Sequence, residues 1–218
     1  MQRFIGGIDR HWRVRMRHRL ITLAYLALLL PAASVSADPA AQPNDRVTRL
    51  VTTVCQACHM SDGNSAVPLF PKLAGQHAEY LARELEDMLE GRRRNDTMGP
   101  ILAQFKKEDV PGLAAYYASQ SAAPGTVRDA SLLESGRRIY EDGNEETGVP
   151  SCSGCHGDDG SGTKRFPRLA GQNQDYVVQE LKRFRSGART NVKYMKAVSE
   201  RLTDAEITAV AEYLASLK

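Results

Sequence analysis

The chain has 218 residues, of which 25% are charged and 6% aromatic, with 29 Lys and Arg against 26 Asp and Glu, a formal net charge of +3 and four cysteines. This composition excludes a disordered or low-complexity chain, a disulfide-dense mini-protein and a polytopic membrane protein. So small a positive charge gives no footing to nucleic-acid binding, and it changes sign once the chain is read in order.

Residues 1–37 read as a cleaved signal peptide. Arg13, Arg15, Arg17 and Arg19 precede the apolar run Leu20 to Leu30, and Val35-Ser36-Ala37 supplies small residues before a cut at Asp38. The run is too short to span a bilayer comfortably and nothing later is hydrophobic enough, so the mature chain is expected to lack a transmembrane segment. Met16 would begin a more ordinary leader than Met1. The leader holds six arginines and one aspartate, which leaves 23 basic and 25 acidic groups on the remaining 181 residues, a formal charge of −2. The expected product is soluble, outside the cytoplasm, and has no nucleic-acid partner.

Two copies of one pentapeptide follow, Cys55-Gln56-Ala57-Cys58-His59 and Cys152-Ser153-Gly154-Cys155-His156, and they use all four cysteines. Cys-x-x-Cys-His is the signature of covalent c-type haem attachment: two thiols add to the two vinyl groups of one porphyrin and the adjoining imidazole binds iron. Zinc is the main alternative, since two Cys-Cys-His sets could each hold a metal. Cysteines two residues apart make a poor disulfide, and no strand–helix pattern of a redox dithiol surrounds them.

The sequence after each motif repeats. Phe70-Pro71-Lys72-Leu73-Ala74-Gly75-Gln76 matches Phe166-Pro167-Arg168-Leu169-Ala170-Gly171-Gln172, and the register continues through Tyr80/Tyr176, Glu84/Glu180, Leu85/Leu181, Gly91/Gly187 and Asn95/Asn191. After a one-residue insertion, Met98 pairs with Met195, Ala114 with Ala211 and Tyr116 with Tyr213. This is duplication of a domain. The boundaries expected are 38–120 for the first copy, a linker at 121–125, and 126–218 for the second. Apolar residues recur at helical spacing in both copies (Tyr80, Leu81, Leu85, Met88; Tyr176, Val177, Leu181, Phe184). The last helix sets Ile207, Val210, Ala211, Leu214 and Leu217 on one face behind a capping box at Thr203-Asp204-Ala205-Glu206. The fold class is all-α, with each copy folding around its own haem.

The histidine leaves one face of each iron to be filled. Met195 is the only methionine after Met98, so a methionine-ligated second haem must use it, and its partner in the repeat is Met98. Met60 adjoins His59 and cannot reach the opposite face; Met88 aligns with Phe184 and reads as core filler. His77, the only histidine after residue 37 outside the motifs, reads as an exposed residue at a helix start. Arg92-Arg93-Arg94 reads as a solvated turn. Lys182, Arg183, Arg185, Arg189, Lys193 and Lys196 gather around Met195, as a positive rim or as balance for haem propionates.

With the haem motif, Pro-x-Leu-x-Gly and a distal methionine in line, both halves resemble class I cytochrome c domains, and the tandem is similar to the cytochrome c4 family across nearly the whole mature chain. The resemblance implies that Cys55, Cys58, Cys152 and Cys155 carry two covalent haem c groups, with His59/Met98 and His156/Met195 as axial pairs. It implies that the carbonyls of Pro71 and Pro167 accept hydrogen bonds from the two histidines and that Leu73 and Leu169 pack on haem. One departure stands out. The second half has Gly136-Arg137-Arg138-Ile139-Tyr140, whereas the first has Val47-Thr48-Arg49-Leu50-Val51 with no glycine for a close helix crossing.

The resemblance further implies a periplasmic electron carrier, not an enzyme, between a quinol-oxidising complex and a haem–copper terminal oxidase, with peripheral membrane association through a partner. A dihaem subunit of a flavoprotein dehydrogenase of the sulfide-dehydrogenase type is the alternative. A dihaem peroxidase fits less well, because it needs one accessible iron and both copies carry the methionine. Acid-acetone extraction of the mature protein should leave its colour on the chain, and intact mass should show two haem additions to a product starting near Asp38. Colour in the solvent, or zinc in place of iron, would overturn this reading.

Overall fold

The computed structural model describes residues 43–218; the leader assigned to 1–37 lies outside them, as does the start of the first domain at 38–42. Among the described residues the secondary structure is helical without a strand, and no helix is long and apolar enough to cross a membrane.

Helix α1 (Pro43–Leu50) opens on a proline, whose missing N–H is no loss in a first turn. It runs through a π-helical turn (Val51–Cys55) directly into α2 (Gln56–His59). The wide turn lets one rod carry both the domain's N-terminal packing face and the first cysteine-histidine motif. Helices α3 (Ala78–Leu89), α4 (Met98–Leu102) and α5 (Val110–Ala118) complete the first half. Arg46 forks onto Asp109 at 2.5 and 2.7 Å, tying α1 to the head of α5 and holding that carboxyl below the usual range.

The second half repeats this order with one interruption. Helix α6 (Leu133–Glu141) stops, and a loop intervenes before α7 (Ser153–His156). Asn144 and Val149 exchange backbone hydrogen bonds at 2.8 and 2.9 Å, and Cys152 N donates to Tyr140 O at 2.8 Å, which returns the chain to the helix end it left. Helix α8 (Gln174–Ser186) ends on Gly187 in the left-handed region at φ 76°, ahead of α9 (Lys193–Ser199) and α10 (Asp204–Ser216). The capping box on α10 is present: Glu206 N donates to Thr203 Oγ1 at 3.2 Å and Thr203 N to Glu206 Oε2 at 2.7 Å.

Each half has its own core, one around Val51, Leu81, Leu113 and Tyr117, the other around Tyr140, Val177, Ile207 and Leu214. The crossing of first and last helices is close in both, by different means. A Cβ on Gly136 would sit 2.1 Å from the Ala209 carbonyl oxygen and 2.8 Å from Tyr213 Cβ, so glycine alone fits on α6. In the first half the small residue has changed helices: Gly112 on α5 faces Val47, whose Cγ2 a Cβ there would meet at 2.5 Å. Val47 therefore does not open the crossing, because the register partner of Ala209 is itself a glycine.

The halves lock through a two-fold exchange of hydrogen bonds. Gln76 Nε2 donates to Arg168 O and its Oε1 accepts from Arg168 N, both at 2.9 Å. Gln172 does the same to Lys72, at 3.0 and 2.8 Å. His77 stands at the start of α3 as expected, but it is half-buried in this interface rather than exposed, its Nε2 2.9 Å from Ser161 O. Behind the glutamines four charges are buried in a ring. Arg93 donates to Glu84 and Glu180, each at 2.8 Å, and Arg189 donates to Glu180 at 2.5 Å and Glu84 at 2.9 Å. Arg93 thus leaves the solvated turn expected of Arg92-Arg93-Arg94. A turn's polarity was legible, but one of the two carboxylates that draw this side chain inward lies on the other domain.

Two predictions follow from backbone and packing. Met60 holds φ 62° and ψ 159°, a region open to glycine, and its counterpart Gly157 holds φ 80°. Met60→Gly should raise the denaturation midpoint of the first domain, with a gain of about 1 kcal/mol. Gly136→Ala should destabilise the second domain by about 2 kcal/mol or more, because backbone rather than a pliable side chain blocks the new methyl; chemical denaturation of the holoprotein checks both.

Candidate haem sites

In each half a short helix presents the cysteine-histidine motif. Cys55 and Cys58 lie one turn apart with His59 at the end of α2; Cys152, Cys155 and His156 repeat this at α7. None of the four cysteines is paired in a disulfide. Burial pushes the Cys152 thiol up to about 11 and raises Cys55 as well, so neither is a reactive thiolate at neutral pH, unlike the nucleophile of a redox dithiol. Among the described residues no three His, Cys, Asp or Glu side chains converge as a metal-binding set, which leaves the zinc alternative without a donor cage.

Both histidines are buried, at 6% and 7% exposure, and burial lowers their pKa, so each is a neutral imidazole at pH 7. His59 Nδ1 lies 2.9 Å from Pro71 O and His156 Nδ1 2.9 Å from Pro167 O. A carbonyl can only accept, so the ring proton is on Nδ1 and Nε2 keeps its lone pair for a metal. Phe70 and Phe166, just ahead of those prolines, set their rings 6.3 and 5.9 Å from the imidazoles and limit their rotation.

One continuous cavity of about 450 Å³ serves both halves. Cys55, Cys58, His59, Pro71, Leu73 and Met98 line its first-domain part; Cys152, Cys155, His156, Pro167, Leu169 and Met195 line the second. The structure thus brings all twelve residues singled out in the sequence to one surface. Met98 opens α4 with its backbone N–H on Asn95 Oδ1 at 2.9 Å, and Met195 lies on α9. Met88 is half-buried on the same wall, and its counterpart Phe184 in the other half is buried. The rest is largely apolar, with Leu81, Phe105 and Leu113 answered by Val177, Val198 and Leu214. Arg168 also lines the cavity, and its buried Nε has no hydrogen-bond partner. A flat apolar group with acidic substituents fits such walls: thiols to bond it, imidazoles and thioethers for its metal, and a cation left over for its carboxylates.

Other residues at the site had not been singled out. Gln76, Gln172, Glu84 and Glu180 recur in register although the haem motif does not require them, and Glu84 stands among Leu81, Leu85 and Met88 on the apolar stripe of α3. An acid on an apolar stripe, kept in both copies, was the available signal. The basic set near Met195 is thinner as a rim than its count implied. Arg189 is buried in the charge ring, Lys182 and Arg185 share Asp204, Lys196 pairs with Glu200, and Lys193 alone among them has no carboxylate partner among the described residues.

The family model for cytochrome c matches residues 45–121 and again 133–218. Cytochrome c4 of Thiocapsa roseopersicina is 46% identical over 169 residues, spanning 75% of this chain and 87% of that protein. A thiosulfate dehydrogenase electron acceptor of Thiomonas intermedia is 32% identical over 204 residues, 91% of this chain and 90% of that protein. The crystal structure of reduced recombinant cytochrome c4 from Pseudomonas stutzeri superimposes with a TM-score of 0.74 at 34% identity, covering 81% of this chain and 97% of that one. Likeness at this level runs through both halves, and on that ground the chain belongs to the cytochrome c4 family: a dihaem electron carrier rather than an enzyme, with two covalently bound haem c groups.

Proposed function

We propose that this chain is a periplasmic shuttle passing single electrons from a quinol-oxidising respiratory donor to a haem–copper terminal oxidase. Domains at 38–120 and 126–218, joined by 121–125, each hold one haem. Cys55 and Cys58 carry the first and Cys152 and Cys155 the second, with His59/Met98 and His156/Met195 on the irons. The observation that carries this reading is that each half brings a cysteine pair, a neutral imidazole with a free Nε2, and a single in-register methionine to the same cavity.

Haem c, when bound, supplies a one-electron ferric/ferrous couple. The residues decide how that couple behaves. Pro71 and Pro167 fix imidazole orientation and basicity. Met98 and Met195 would supply soft thioether ligands that favour ferrous iron and raise the potential, and irons held in this way would offer no position for peroxide or oxygen chemistry. The apolar walls keep water off, which lowers the local dielectric and tunes the potential. The basic leader and small-residue cleavage site support export to the periplasm, and docking on a membrane complex requires no span of its own.

A second reading, service to a dehydrogenase, draws support from the Thiomonas intermedia relative, whose name makes it an electron acceptor of thiosulfate dehydrogenase. Co-purification with a flavoprotein or sulfur-oxidising dehydrogenase, and rapid reduction by it, would favour that donor over a quinol-oxidising complex.

Replacing Met195 with Ala should abolish the long-wavelength thioether-to-iron band of one ferric haem, admit carbon monoxide to it when reduced, and lower its potential by on the order of 0.1 V within the roughly 0.8 V that axial ligands command. Met98→Ala should do so at the other haem, while Met88→Ala only loosens packing. A band that survives Met195→Ala together with inertness to carbon monoxide would remove the ligand scheme for the second site.

A further inference from the structure

The segments that lead into the two methionines are tied down from outside their own domains. Residues 187–192 connect α8 to α9, which carries Met195. There Arg189 donates to Glu84 Oε2 at 2.9 Å and to the Tyr80 hydroxyl at 3.3 Å, and Asn191 Nδ2 donates to Asp87 Oδ2 at 2.8 Å and Glu84 Oε2 at 3.2 Å. Tyr80, Glu84 and Asp87 all lie on α3 of the first domain. The converse holds for residues 90–97, which lead into Met98. Arg93 donates to Glu180 Oε2 at 2.8 Å, and the backbone carbonyl of Arg94 accepts from the Arg183 guanidinium at 2.7 Å, both partners lying on α8.

Ties within each domain stand beside these. Arg93 N donates to Asp87 O at 2.9 Å and its side chain to Glu84; Arg189 N donates to Arg183 O at 3.0 Å and its side chain to Glu180. Arg93, Arg189, Glu84 and Glu180 are all buried, so water cannot replace a lost partner and salt screens these contacts little.

We propose that each domain positions the other domain's methionine: Glu84, Asp87 and Tyr80 hold the segment of Met195, and Glu180 and Arg183 hold the segment of Met98. The firmness of each iron–sulfur bond, and with it each potential, then depends on a residue that never approaches that iron. The proposal rests on Met98 and Met195 being the ligands. Asp87 isolates it best, because its two oxygens serve different domains. Oδ2 crosses to Asn191, whereas Oδ1 takes Arg92 of its own domain, an exposed side chain, at 2.6 Å.

The test uses the dihaem holoprotein. In the ferrous state the methyl group of an axial methionine lies over the porphyrin and resonates far upfield, so Met98→Ala and Met195→Ala assign the two signals. Imidazole entry into each ferric haem, and each midpoint potential, are then measured in Asp87→Ala, Arg92→Ala and Arg183→Leu. Loss of one charge-assisted hydrogen bond should speed imidazole entry about tenfold. For Asp87→Ala this acceleration and a lowered potential should fall on the Met195 haem, with Arg92→Ala leaving that haem unchanged; for Arg183→Leu they should fall on the Met98 haem. Effects confined to the mutated residue's own domain, or equal for Asp87→Ala and Arg92→Ala, would overturn the proposal. The two variants lie in different domains, so one carries the test if the other fails to fold. An upfield signal that survives both Met98→Ala and Met195→Ala would defeat the ligand reading itself, and the proposal with it.

Discussion

Two glutamates and two arginines, none more than 6% exposed, alternate in sign where the halves of this protein meet. Burying any one of them alone would cost several kcal/mol of lost hydration. The ring offsets that cost only when all four are present, and each half supplies one acid and one base. Neither domain can satisfy its own arginine without the other, since each guanidinium spends one nitrogen at home and one across the interface. Unlike an apolar patch, such a contact has direction, so it fixes the register of the domains.

The duplication explains the symmetry, and its departures show what the fold requires. A close crossing of first and last helices is needed in both copies, but the glycine that permits it stands on α6 in one and α5 in the other. The residue after each haem histidine has positive φ in both, met by Gly157 in the second half and carried under strain by Met60 in the first. The first motif is reached through a continuous helix with one wide turn, the second through a loop closed by Asn144 and Val149. Backbone geometry is retained while the residues that accommodate it differ.

The chemistry of the sites rests on neutrality and dryness. Imidazoles deprotonated at Nε2 and held by proline carbonyls, together with apolar walls, make poor machinery for hydrolysis and a good setting for a prosthetic group that exchanges electrons without bond rearrangement. The surface follows the same economy. Most of the basic residues near Met195 are already paired, so net charge counted along the sequence overstates what a docking partner would meet.

By itself the sequence determined the two haem motifs, the duplication, the helical class, the capping box on α10 and twelve of the residues that line the cavity. These are local or periodic features: spacing along a helix, a repeated pentad, and a methionine found by elimination among few candidates. Only the tertiary structure decided the fates of Arg93, Arg189, His77 and the two glutamines. Whether an arginine is solvated or buried depends on the carboxylates that face it, and one of the two that face Arg93, Glu180, lies 87 residues away. The sequence placed each haem inside its own domain. The fold set each methionine's segment against the other domain, because hydrogen bonds between distant segments leave no periodicity to be read.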